Sequence, residues 1–111
     1  MKARVWKNRV TIICPACRDI EIAEGYTDPA DGGVAGEHTV PFMGGPVIWT
    51  FNQNLEKPTL SPSLLLTSCR GEQAYICHSF VTDGRIQYMG DCTHSLRGQT
   101  VDLPEWKDRG L

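Results

Sequence analysis

No stretch of this 111-residue chain is apolar for long enough to cross a bilayer. Its apolar runs include trios such as Ile12-Ile13-Cys14 and Leu64-Leu65-Leu66, against the roughly 20 residues that a membrane helix needs. Met1-Lys2-Ala3-Arg4 leads into no apolar signal core, so a soluble, cytoplasmic protein is expected. A charge excess is lacking too. With 11 Lys+Arg against 13 Asp+Glu the formal charge is -2, which gives neither nucleic acid nor an anionic membrane a reason to bind. An even cysteine count is also missing. Cysteines stand at 14, 17, 69, 77 and 92, so at least one cannot pair within the chain, and a secreted disulfide scaffold is not expected. There are no internal repeats and no low-complexity tract.

What is present suits one globular domain spanning residues 1–111. Hydrophobic residues make up 41% of the chain, enough for a single modest core. Strand signals dominate. Val5 to Ile13 leads to Cys14-Pro15-Ala16-Cys17, and beyond it Ile20 and Ile22 alternate with Asp19 and Glu21. Strand, turn and strand is the outline of a zinc knuckle, whose turn aims two sulfurs at one metal. Six of the 11 glycines fall between Gly25 and Gly45, which reads as a long loop around a Glu37-His38-Thr39-Val40 island. Pro46 to Phe51 and Leu64 to Thr67 read as strands, the latter preceded by a segment stiffened by Pro58 and Pro62. Gly71-Glu72 marks a break. The predicted fold is a compact, mainly β, antiparallel domain with little helix.

The best-specified element is a hairpin. Asp83-Gly84 separates Tyr75–Val81 from Ile86–Met89, and both central residues of a type I′ turn need positive φ. Counting outward, Thr82 faces Arg85, Phe80 faces Gln87 and His78 faces Met89. Faces alternate along a strand, so Cys77 and Cys92 fall on one face and His78 and Asp91 on the other, the latter pair within side-chain reach. Thr93 to Leu96 offers one helical turn stopped at Gly98, and Val101–Leu103 a last strand.

Two constellations carry chemistry. Cys14 and Cys17 supply half of a tetrahedral zinc site. The hairpin register completes it with Cys77 and Cys92, while a rival set replaces one sulfur with His38, His78 or His94. Cys69 fits no pattern and reads as a small buried apolar residue. The second constellation is His78, Asp91 and His94: an imidazole beside a carboxylate has its tautomer and basicity set for proton transfer or for metal ligation. Ser61 and Ser63 on the stiff segment could present a hydroxyl to such a base, and Glu56 just upstream could handle a proton.

Trp49-Thr50-Phe51-Asn52, the run from Glu56 to Ser63, the run from Cys77 to Ile86 and the run from Asp91 to Thr100 together resemble the small Cys/His family catalogued as domain of unknown function 6527, of phages and bacteria. The resemblance runs from Cys14 to Leu103. It implies zinc binding and, for members encoded beside ubiquitin-like conjugation genes, peptidase action on the ubiquitin-like modifier. It aligns His38 with the family's histidine after the knuckle, and it points to His78, His94 and the Pro58–Ser63 segment as the site. The function expected is a small zinc-binding hydrolase that processes the C-terminal tail of a ubiquitin-like protein. The alternative is a non-enzymatic phage module that binds a host protein. Two mechanisms stay open: His78, oriented by Asp91, activating Ser61 or Ser63 with help from His94, or a catalytic zinc held by His78 and His94 with Glu56 as base.

Overall fold

The computed structural model describes residues 1–46, 48–68 and 74–106. Cys69 and Gly71-Glu72 lie outside the described residues, as does Val47 of the Pro46–Phe51 run. The described chain forms two antiparallel sheets, one of three strands and one of five.

The first sheet has the order β1 (Ala3–Trp6), β2 (Arg9–Ile13), β3 (Glu37–Pro41). The run from Val5 to Ile13 is thus not one strand. It is broken at Lys7, which sits at φ 55° between two paired strands with Val5 facing Val10. Val10 and Ile12 turn to the core and pair with Val40 and His38 of β3. The glycine-rich stretch is therefore not all loop: a short 3-10 turn at Pro29–Asp31 and then β3 bring the chain back along β2.

Between β2 and that return lies α1 (Pro15–Ala23), a helix where the sequence pattern predicts a turn and a strand. Cys14 is the N-cap, its sulfur accepting the Cys17 N–H at 3.5 Å. Pro15 occupies the first turn, where its missing N–H leaves no bond unmade and its φ suits the helix. The alternation of Asp19, Ile20, Glu21 and Ile22 is misleading because Glu21 is buried and Ile22 exposed. The Glu21 carboxylate accepts the Gly36 N–H at 3.2 Å, and Ala16, Cys17 and Glu21 form the buried face.

The second sheet runs β4 (Thr50–Phe51), β5 (Leu60–Ser68), β6 (Ala74–Thr82), β7 (Arg85–Tyr88), β8 (Thr100–Asp102). The Pro46–Phe51 strand shrinks to Thr50–Phe51, and β5 starts four residues before Leu64, absorbing Pro62. The Asp83-Gly84 turn has positive φ at both residues, 51° and 78°, and Thr82 faces Arg85 and Phe80 faces Gln87 as the register predicts. No helical turn forms at 93–96. Instead of an α-helical turn, the Arg97 N–H donates to His94 O and closes a single tight turn over 94–97, and Gly98 ends it left-handed at φ 76°, the stop the sequence predicts. Leu60, Leu64, Val81, Ile86 and Tyr88 of this sheet share one apolar cluster with Val10, Ile12 and Val40 of the first. Among the described residues no helix is long and apolar enough to cross a membrane.

Candidate functional site

The site on the outer face of the large sheet begins with a break in its ladder. Leu60 faces Val81 while Leu64 faces Ser79, so β5 spends four steps where β6 spends two. Such bulges re-aim side chains, and Pro62 inside it has no N–H to give a ladder. Leu64 follows with its side chain in the core, so Ser63 and Leu65 belong to the outer face. On β6, Cys77 and Ser79 are buried and His78 and Phe80 point the other way. Ser63 and His78 thus meet across the strand pair.

The contact is direct. His78 Nε2 lies 2.9 Å from Ser63 Oγ, and His78 Nδ1 lies 3.1 and 3.3 Å from the two Asp91 carboxylate oxygens. A neutral imidazole donating from Nδ1 to Asp91 leaves Nε2 as the acceptor for the serine hydroxyl. The His78 side chain is about a quarter exposed, with Phe80 6.3 Å away centre to centre on the same face. His78 is also fixed through its backbone. Its N–H donates to Cys92 Sγ at 3.2 Å, and its C=O accepts from Met89 N–H at 2.8 Å and from the Cys92 thiol at 3.2 Å. Cys92, expected among the metal ligands, thus places its sulfur against the His78 main chain.

Of the other expected site residues, Ser61 stands opposite Thr50 on β5 with its side chain exposed. Glu56 ion-pairs with the N-terminus at 3.7 Å. Its backbone packs beside Gly84 at the hairpin tip, about 20 Å along β6 from His78 at roughly 3.3 Å per residue. His94 stacks edge-on against Tyr88 at 4.6 Å and accepts the Leu96 N–H at Nδ1; burial lowers its pKa, with Cys14 near enough to oppose that shift. It belongs to the interior cysteine group, not to the serine.

That group is the second site. The sulfurs of Cys14, Cys17 and Cys77 all lie within 4.8 Å of one another, and all three residues are buried. The Cys14–Cys77 separation is 3.8 Å, about what two Zn–S bonds of roughly 2.3 Å at a tetrahedral angle require. These sulfurs are close enough to hold a metal ion. Burial raises the Cys14 thiol pKa, but hydrogen bonds from Cys17 and Cys77 outweigh it and hold the pKa well below its ordinary value. The same contacts raise the Cys17 and Cys77 thiols. Tyr88 braces the cluster, its hydroxyl 3.1 Å from Cys14 Sγ and accepting the Ala16 N–H at 3.2 Å. His38 is buried at 5% exposure, and neither ring nitrogen has a hydrogen-bond partner among the described residues. Burial lowers its pKa, so its neutral form is favoured.

No match to the chain was found among curated proteins or solved structures. One family model matches residues 32–89, a span that includes His38, Ser63, Cys77 and His78 and stops just before Asp91. Its description is more specific than that of the uncharacterised Cys/His family the sequence resembles, and it names a protease. The chain belongs to the family of bacterial ubiquitination-like system serine proteases (BubE).

Proposed function

We propose that Ser63, His78 and Asp91 are the catalytic triad of a peptidase that cuts the C-terminal tail of a ubiquitin-like protein. The observation that carries this reading is the 2.9 Å contact between His78 Nε2 and Ser63 Oγ, with Asp91 on the other ring nitrogen. In the acylation step Ser63 Oγ attacks the scissile carbonyl carbon while its proton passes to His78 Nε2. The imidazolium is stabilised by Asp91, then gives that proton to the leaving amine as the C–N bond breaks. Water, deprotonated by the same nitrogen, hydrolyses the acyl-enzyme and returns the serine. The family's description as serine proteases supports this route over a catalytic zinc held by His78 and His94.

The metal belongs in a structural role. Cys14, Cys17 and Cys77 would be three of its ligands, and the buried imidazole of His38, near Cys14 but outside the cluster of three sulfurs, would close on the ion as the fourth. The donor set fits, since three sulfurs and one imidazole make a closed tetrahedral zinc site. A bound Zn²⁺ would offset the mutual repulsion of three thiolates and tie α1, β3 and β6 together.

The test is cleavage of a C-terminally extended ubiquitin-like modifier together with labelling by a fluorophosphonate. Wild type cuts the tail and is labelled on Ser63, and Ser63→Ala and His78→Ala each lose both. An unlabelled wild type that leaves the tail intact would sink the peptidase reading in favour of a binding module for a host protein.

A further inference from the structure

The strand that carries Ser63 has an open side. β4 pairs with β5 only at Ser61 and Leu60. Beyond that point, among the described residues, no backbone hydrogen bond reaches the edge of β5 that faces away from β6. A cavity of about 280 Å³ runs along this edge. Leu64, Leu65 and Leu66 all line it. Because faces alternate along a strand, three consecutive residues can line one cavity only if the strand turns its edge to it. The opposite wall is the edge of β3, again by consecutive residues, 37–40, and Trp49 joins the walls through its N–H bond to Pro41 O.

The hydrogen bonds of β6 decide which groups point into this groove. A strand residue directs its N–H and C=O to the same side. Both groups of His78 are occupied on the β7 side, by Cys92 and Met89. Its partner Leu65 is therefore in a non-hydrogen-bonded pair with it. The N–H and C=O of Leu65 consequently point away from β6, into the groove. The Leu65 side chain is 58% exposed, on the same face as His78.

We infer, resting on the peptidase reading above, that the substrate binds as an extended strand added to the free edge of β5, exchanging main-chain hydrogen bonds with Leu65 in the groove between the two sheets. Main-chain pairing of this kind supplies affinity, while the groove walls sort alternate side chains. Here those walls are largely apolar, so the chemistry recognised is an unfolded peptide with apolar side chains at alternate positions. Only a chain whose backbone is not already hydrogen-bonded can add to an edge. The groove thereby selects a flexible tail over the folded body of a modifier, and it delivers a carbonyl to Ser63, two residues from Leu65.

The experiment uses the wild-type protein and capped random octapeptides, with cleaved sequences identified by mass spectrometry and p-nitrophenyl acetate as a substrate too small to pair. The best octapeptide is then remade with a single N-methyl group at each backbone nitrogen in turn. Strand addition predicts a loss of tenfold or more in kcat/KM at alternate positions on one side of the scissile bond, with the positions between them within threefold of the parent. Leu65→Pro, which deletes the donor, loses tenfold or more toward the parent octapeptide; the N-methyl scan carries the test if that variant does not fold. Evenly tolerated N-methylation overturns the inference, and so does a wild type that hydrolyses the ester but cleaves no octapeptide. If wild type cleaves neither ester nor modifier tail, the triad itself is overturned.

Discussion

Ser61 and Ser63 stand two residues apart on one stiff segment, and the ladder break at Pro62 separates their fates. Ser61 keeps its place opposite Thr50, whereas Ser63 comes to His78. Substituting Ser61 by Ala should accordingly leave tail cleavage within about threefold of wild type, as for an exposed surface residue. Asp91→Asn removes the carboxylate that holds the His78 tautomer and should lower kcat by about a hundredfold or more, measured at matched metal content. The proposed metal ligands divide the same way. Cys92→Ala should retain one metal ion per chain by elemental analysis while losing about 1–3 kcal/mol of stability, because the His78 backbone loses its sulfur partner. His38→Ala should lose the metal. The opposite pair of results would restore the four-cysteine set. From sequence, His78 and Asp91 could be paired by counting outward from Asp83-Gly84. Ser63 could not be separated from Ser61, since nothing local in Ser-Pro-Ser records where β5 breaks register against β6.

At the scale of elements, the hairpin was legible because its turn chemistry is local: two positive φ values demand Asp-Gly, and the register then follows by arithmetic. Helix α1 was not, because its stabilising contacts come from far along the chain. Its one buried carboxylate, Glu21, is held by Gly36, and Cys14 N–H donates to Gly36 O at 2.8 Å. Periodicity records apolar residues, and a buried Glu breaks the pattern that periodicity needs. Gly36 makes this docking possible. It sits at φ 78°, and a Cβ there would meet Arg18 Cβ at 2.6 Å and Arg18 backbone atoms at 2.8 Å. Gly36→Ala should therefore cost about 3 kcal/mol, left-handed strain and overpacking combined, and it should weaken metal binding because α1 carries Cys17. Denaturant unfolding and competition with a chromogenic chelator measure the two effects. A variant as stable as wild type would show that the helix does not need this contact.

Across the whole molecule the two sites stand back to back on one strand. Cys77 points inward to the sulfur cluster and His78 outward to Ser63, as strand alternation requires of neighbours. The cluster draws on α1 and β6, with His38 of β3 beside it, so a metal there would clamp the small sheet against the large one. For a chain of this length the net stability expected is roughly 5–15 kcal/mol, and a structural zinc contributes on the order of 10 kcal/mol. Removing the metal would thus take away most of the margin, which decides what chelation should do. Titrating the holoprotein with a strong chelator should collapse the melting transition, and tail cleavage should vanish in the same titration with the same midpoint, because the triad is lost with the sheet that displays it. A catalytic metal predicts something different: activity falls while the melting temperature and the far-ultraviolet circular dichroism stay where they were. Restoring Zn²⁺ should return fold and activity together in the wild type. In Ser63→Ala it should return the fold alone, as expected if a metal holds β6 in place and the serine does the chemistry on its other side.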